Sequence, residues 1–434
     1  MSESALQPRA LAAAGRLAAT IPPHDMDRLR RRTLWTLFAV AALGSTGYIA
    51  AVTVGTLVAA ELAGGPALGG LPTATTTIGT TVAAAFIAML MLRVGRRNGV
   101  LVGLIVGVVG GVTVLASVLA ASIPLLLMGS AMTGFANGTG NLGRYIAADL
   151  VPPARRASAI GTVVWGSTIG AVGGPNLVAP AGDIARSLGL PELAGAYALT
   201  VGFLGLAWLL AAVMLRPEPY ALADPSALTA RQEADGPAPS LGSLLAHPNV
   251  TVALVTLVAS QVVMVLIMTM TPLHLIDHGH GLATVGFVLS AHTFGMFALS
   301  PISGRLTDRF GSPRIIAAGL STLAVAALLA ALAPADGGIL LTLALFLLGY
   351  GWNLGFVAGS SMLTGGLALA ERTRVQGVAD SLIWGTAAVS SLSSGIIVAG
   401  ASYAALGFLG IGLVVVPVAL LLTKGRQLES ASAS

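Results

Sequence analysis

The chain has 434 residues, 55% of them apolar and only 9% charged. Soluble domains carry about 25% charged residues to cover their surface, so this arithmetic speaks against a water-soluble enzyme, a nucleic-acid binder and a disordered scaffold, and leaves a polytopic membrane protein. The net charge of +5 is no nucleic-acid signal, because excess Lys and Arg in membrane proteins gather in cytoplasmic loops.

In chain order, residues 1–33 read as a cytoplasmic arm. They lack the short apolar core and cleavage site of a signal peptide, and they end in Arg28, Arg30, Arg31 and Arg32. Apolar runs of membrane-crossing length then recur at 34–61, 70–92, 98–120, 123–149, 157–180 and 194–215. A polar stretch, Pro217–Pro248, follows and contains Glu218, Asp224, Glu233 and Asp235. It reads as a cytoplasmic linker, with Leu241–Ala246 as a short piece that could lie along the membrane surface. Six more runs follow at 249–274, 283–304, 314–333, 338–364, 376–399 and 402–423, and residues 425–434 form a polar tail. The predicted fold is therefore all-α, with 34–216 and 249–424 as two six-helix halves. Every Lys and Arg except Arg186 falls in or beside the N-terminal arm, the even-numbered breaks, the linker or the tail. That bias predicts cytoplasmic termini.

The halves repeat each other at offsets of 216 to 219 residues. Arg93-Val-Gly95-Arg96-Arg97 corresponds to Arg309-Phe-Gly311-Ser-Pro-Arg314, Asn137 to Asn353, and Trp165-Gly166 to Trp384-Gly385. Two parallel six-helix repeats are a transporter architecture. Gly304-Arg-Leu-Thr-Asp308-Arg309-Phe-Gly311 resembles the loop signature of the major facilitator superfamily, and Gly170 to Pro175 resembles the Gly-Pro motif of its fifth helix. The resemblance covers the whole chain and implies a secondary transporter of the bacterial cytoplasmic membrane. Its first-half copy is degenerate, with Leu92 where the family has Asp and Ala88 where it has Gly. Ser130 stands near the place of the fourth-helix Arg of the drug-efflux branch.

The chain has no cysteine, so a metal site must draw on Met, His, Asp or Glu. Span seven carries Met264 and Met268, and span eight carries His292 and Met296. Each pair is spaced i,i+4, which puts both side chains on one helix face. Thioethers suit Cu(I) and imidazole accepts copper too, while the lack of a carboxylate argues against Mg, Ca or Mn. Met is also an ordinary gap filler in apolar helices, and Met128 and Met132 form a second such pair in span four. His292 adds more, because an ionisable residue deep in a span is a functional candidate by default. Met-x3-Met followed 24 residues later by His-x3-Met resembles the CcoA-like, copper-importing branch of the superfamily. The resemblance implies that Met264, Met268, His292 and Met296 bind copper as transported substrate, with no resident cofactor. Asn141 to Pro153, with Arg144 and Asp149, is similar to that branch as well.

Asp308 and Arg309 resemble the loop that braces helices in the inside-closed state. Arg144, Asp149, Arg155 and Arg156 cluster near the end of span four and are read as gate ion pairs. Asp380 could bind a proton or pair with a cytoplasmic Arg. His274, His278 and His280, beside Asp277, read as a solvated loop, with cation capture as the alternative. No P-loop or other catalytic motif is present, so the chain is read as no enzyme. The expected partners are the copper ion and the lipid bilayer, with no nucleic acid, and the chain is expected to work as a monomer. The competing reading is a proton-coupled efflux carrier for drugs or small metabolites, with the Met residues as pliable pocket lining.

Overall fold

The computed structural model describes residues 9–64, 68–224, 239–333, 338–365 and 367–433. The middle of the expected linker, 225–238, lies outside them, as do 1–8 of the arm and Ser434 of the tail. The described residues form helices and no strand. They are α1 (Arg9–Ala18), α2 (Pro23–Ala63), α3 (Leu71–Val94), α4 (Arg96–Leu119), α5 (Ile123–Asp149), α6 (Arg156–Ser187), α7 (Ala194–Met214), α8 (Leu241–Ala246), α9 (Pro248–Asp277), α10 (Leu282–Phe297), α11 (Ser300–Phe310), α12 (Ser312–Leu332), α13 (Gly338–Leu363), α14 (Leu369–Gly400) and α15 (Tyr403–Ala433). With α10 and α11 counted together, twelve membrane-length segments result. Ten of these are apolar enough to qualify as spans on composition alone. The shortfall is α5 and α6, which carry Asn137, Asn141, Arg144, Asn176 and Asp183 among small residues.

In lipid every backbone polar group must be satisfied within the chain, and a helix does this along its whole length. Large apolar side chains face outward all along these helices, among them Leu57, Ile78, Val109, Leu206, Val213 and Phe287. Water would penalise such a surface; a multi-pass membrane protein presents it to hydrocarbon.

Two points differ from the sequence reading. The loop signature was expected to join spans eight and nine, yet α11 continues through Asp308 and Arg309 to Phe310, and the connection is the single residue Gly311. Its φ of +85° is a conformation that only glycine adopts freely; Gly95, at φ +94°, makes the equivalent turn between α3 and α4. Span eight was expected to be one helix over 283–304, yet it breaks after Phe297 and restarts at Ser300. Pro301 has no N–H to give to Phe297, and the Ser300 hydroxyl takes that carbonyl at 2.7 Å instead.

The chain divides into two compact units. Unit 1 comprises residues 1–152, 166–238 and 368–384. In it α3 and α4 pack on α5, and α2 and α4 pack on α7, around a core with Val54, Val58, Val114, Leu126 and Tyr197. Unit 2 comprises 153–165, 239–367 and 385–434. There α13 is the hub: α9, α10, α11 and α12 all pack against it. Helices α6 and α14 each contribute one segment to each unit.

Candidate functional site

Unit 2 holds the Met and His residues. His292, on α10, is 1% exposed. Its Nδ1 lies 2.9 Å from the carbonyl of Leu345 on α13. A carbonyl can only accept, so Nδ1 carries the proton and Nε2 is left with its lone pair. That Nε2 is buried and has no hydrogen-bond partner among the described residues. Backbone contact holds the ring there: a Cβ on Gly349 would lie 2.2 Å from the His292 carbonyl oxygen and 3.0 Å from the Met296 nitrogen. Only glycine lets α10 approach α13 this closely.

Span seven is anchored on the same helix. Gln261, buried at 3%, accepts a 2.8 Å bond from the indole nitrogen of Trp352. Leu345 and Trp352 are seven residues apart on α13, two turns along one face. Met264 lies one turn beyond Gln261 and is buried, whereas Met268 and Met296 are half-buried. Helices α9 and α10 pack on α13 far more than on each other, so what relates the two pairs is their shared attachment to α13. The second Met pair differs, since Met128 is 51% exposed.

Asn353 is fully buried one turn deeper on the α10–α11 side of α13. Its amide donates to the Met296 carbonyl at 2.6 Å and to Ser300 Oγ at 2.7 Å, and its oxygen accepts from Ser303 Oγ at 2.5 Å. The first of these bonds takes up the Met296 carbonyl, one residue before span eight breaks after Phe297. Its repeat partner Asn137 makes a looser contact with Thr80, at 3.5 Å.

The charged candidates sit at the end of the helices where the Arg-rich turns lie. In unit 1, Arg144 grips Asp380 with both terminal nitrogens, at 2.5 and 3.0 Å, and the Tyr145 hydroxyl adds a 3.1 Å bond to the same carboxylate. Both side chains are about fully buried, at 2% and 1% exposed. Asp149 is bonded by Arg96 at 2.6 Å and faces Arg372 at 3.7 Å, and Arg96 also reaches Gln376 at 3.2 Å. In unit 2, Asp308 caps the start of α6, accepting from the backbone N–H of Ala157 at 3.0 Å and of Ser158 at 2.9 Å. A carboxylate is favoured there by the helix dipole. Arg309 is exposed and lies over the Phe310 ring. The Arg156 guanidinium is buried and reaches the Thr364 carbonyl at 3.5 Å.

Sequence reasoning missed the start of the linker. Pro219–Leu222 form a 3-10 turn that is entirely buried. Glu218 caps α4, accepting from the Arg96 N–H at 2.6 Å. Burial raises the Glu218 carboxyl above its ordinary value, and the bonds from Arg96 and Arg97 offset this only in part. Arg30 bonds the carbonyls of Leu222 and Ala223, at 2.9 and 3.1 Å. The Tyr220 hydroxyl pairs with Thr373 at 3.1 Å. Tyr220, Ala221 and Leu369 share an apolar cluster with Ala14 of α1. The Pro-Tyr-Ala-Leu run inside a polar stretch was the available signal.

Comparison with known proteins bears on the family and the fold. The sequence profile described as Major Facilitator Superfamily matches residues 34–287 and 252–433. The uncharacterized MFS-type transporter YdeG of Bacillus subtilis is 36% identical over 409 residues, 93% of this chain and 94% of that one. The riboflavin transporter RfnT of Brucella anthropi is 32% identical over 406 residues, 92% of this chain and 98% of its own. Among solved structures, the human organic anion transporter MFSD10 superposes with a TM-score of 0.69 at 19% identity, covering 92% of this chain and 100% of that one. A bacterial homologue of the iron transporter ferroportin gives 0.69 at 14% identity, covering 91% and 99%. At these identities the two structures speak to the fold alone.

Proposed function

The chain belongs to the Major Facilitator Superfamily, and on that premise we propose that it is a secondary transporter that imports copper across the bacterial cytoplasmic membrane. The observation that carries the reading is His292. A metal-binding His characteristically donates its second ring nitrogen to a carbonyl or carboxylate, which fixes the tautomer and aims the other lone pair at the ion. His292 has that arrangement on Leu345, with Nε2 buried and unpartnered. A buried polar atom left without a partner costs about 1–3 kcal/mol, and a soft cation would relieve that cost. Met264, Met268 and Met296 supply thioethers, which select Cu(I) over harder ions.

In this reading the Arg-rich end is cytoplasmic, as the Lys and Arg bias supports, and both termini lie there. Neutral ligands hold a monovalent soft ion without a full counter-charge, so release breaks no strong ion pair. Alternating access opens the site to one face and then the other. Asp308, Arg309, Arg144 and Asp149 are assigned to gating: the bonds of Asp308, Arg144 and Asp149 tie helix ends at the cytoplasmic side and must be exchanged in each cycle. The protein works as a monomer in lipid.

A second reading has one specific support, the 32% identity to a riboflavin transporter: the cargo is then a flavin-like organic solute, and the Met residues line its pocket. Uptake of radioactive copper and of riboflavin, measured in the same cells, separates the two. Under the copper reading, His292→Ala and Met268→Leu abolish copper accumulation with the protein still in the membrane, while Met128→Leu is silent. Normal copper uptake by all three variants, with riboflavin accumulated, would give the site to the organic solute.

A further inference from the structure

A second group of metal-ligating side chains lies at the other end of α9, away from the Arg-rich turns. His274, in the last turn of α9, and His278, the residue that follows the helix, are spaced i,i+4, and their ring centroids are 4.3 Å apart. Each ring is already held. His278 Nδ1 lies 2.7 Å from the His274 carbonyl. It therefore carries the proton, and Nε2 keeps its lone pair toward solvent. The His274 ring stacks on Tyr403 of α15, with centroids 4.1 Å apart and planes 11° from parallel. Tyr403 is fixed in turn by a 2.8 Å bond between its hydroxyl and Thr271 on α9. Neither ring nitrogen of His274 has a protein hydrogen-bond partner among the described residues. His278 is exposed and His274 half-buried, so an ion from solution can reach both.

We propose that His274 and His278 form a two-imidazole binding site for a divalent transition-metal ion of the Cu2+, Ni2+ or Zn2+ class. Two imidazoles one helical turn apart form a chelate, and both are preset, so little side-chain freedom is lost on binding. The donor set excludes Mg2+ and Ca2+, which take oxygen ligands. It also stays at two ligands. His280 faces the start of α13, its Cε1 3.7 Å from where a Cβ on Gly338 would stand. No three His, Asp or Glu side chains gather closely enough to share an ion among the described residues. Water completes the coordination, which makes the site one of capture and exchange, unlike the closed four-ligand sites that hold a structural ion. The ordinary role of histidines at a helix end, bonding the last carbonyls, uses Nδ1 of His278 and leaves both chelating positions open. Six residues separate His274 from Met268, about 9 Å along the helix, so an ion held here waits beside the copper path proposed above. The metal-binding claim itself does not depend on that path.

The test is equilibrium Cu2+ binding to the purified full-length protein in detergent, with electron paramagnetic resonance, on a His292→Ala background that removes the membrane site. The expected result is one Cu2+ per chain with hyperfine structure from two nitrogens. His274→Ala and His278→Ala should each remove the two-nitrogen signal, and His280→Ala should leave it unchanged. Tyr403→Leu should weaken binding about tenfold, as loss of an orienting partner does, while both imidazoles stay in place. No bound Cu2+, or a two-nitrogen spectrum that survives both single substitutions, overturns the proposal. Copper uptake measured in parallel reports on the transport reading alone, because the binding result stands whether or not the His292 variant transports.

Discussion

Replacing Asp380 with Leu strands a cation. Arg144 is 2% exposed, and its guanidinium gives two of its bonds to Asp380, at 2.5 and 3.0 Å. Tyr145 loses its 3.1 Å bond to the same carboxylate. Its other bonds include those to the Asn141 carbonyl at 2.6 Å and the Tyr145 hydroxyl at 2.8 Å, neither of which carries a countercharge. Breaking one side of a buried ion pair costs about 3–5 kcal/mol, whereas replacing both partners by apolar groups is close to neutral. For a chain of this length each kcal/mol is worth about 1–2 °C, by scaling from smaller domains. Asp380→Leu should therefore lower the melting temperature by about 3–10 °C, and the double variant Arg144→Met/Asp380→Leu should recover most of it. The assay is tryptophan fluorescence on heating in detergent, with wild type, both singles and the double compared at one scan rate. If the double variant is as unstable as the two singles added together, the residues do not act as a pair and the reasoning fails.

Asp308→Asn keeps the side chain's shape but weakens the charge-assisted cap on Ala157 and Ser158; under the proposed copper reading, transport should slow severalfold while copper affinity stays within about twofold of wild type, and an equal loss of both would count against a gating role for Asp308. Gly349→Ala puts a methyl 2.2 Å from the His292 carbonyl, so α10 must move off α13; the expected outcome is about 1–3 kcal/mol of destabilisation and loss of transport, and a normal melting curve would contradict the close packing. Glu218 has its carboxyl raised by burial, so the fold favours the protonated form: its contribution is complete below the ordinary value of 4.5 and is lost as pH rises through the raised value. Glu218→Gln should therefore remove a decline in melting temperature that wild type shows as pH rises from about 4.5 toward neutrality, and parallel curves for the two proteins would refute the assignment.

The helices were legible because lipid imposes one rule on every span, and the rule is visible within a window of about 20 residues. The spacing of the paired motifs was legible for a similar reason, since each lies within a dozen residues, whereas the single-residue turn at Gly311 was read as a longer loop. What escaped depends on residues far apart. Asp380 was read as able to pair with a cytoplasmic Arg, but that this Arg is Arg144, 236 positions away, is stated by nothing local to either, and the same holds for His292 and Leu345, 53 apart. The break in span eight is carried by Pro301 in the sequence, but the bonds that Asn353 makes beside it are visible only once α13 is in place. The burial of Tyr220 was hidden by composition, because the surrounding stretch is polar and the buried run within it, residues 219–224, is short.

The segment 368–384 that completes unit 1 is also a statement about time. Synthesis runs at about 5–20 residues per second, so about 10–50 s separate the emergence of Arg144 from that of Asp380. Through that interval the first six spans are in the membrane, and two arginines destined for burial, Arg96 and Arg144, lack the carboxamide of Gln376 and the carboxylate of Asp380 that later hold them. Asp149 can occupy Arg96 during the wait; Arg144 has its neighbouring Tyr145 and the Asn141 carbonyl. The nascent first half is therefore a provisional structure, with water, lipid headgroups or the insertion machinery standing in for an acid that has not yet been made.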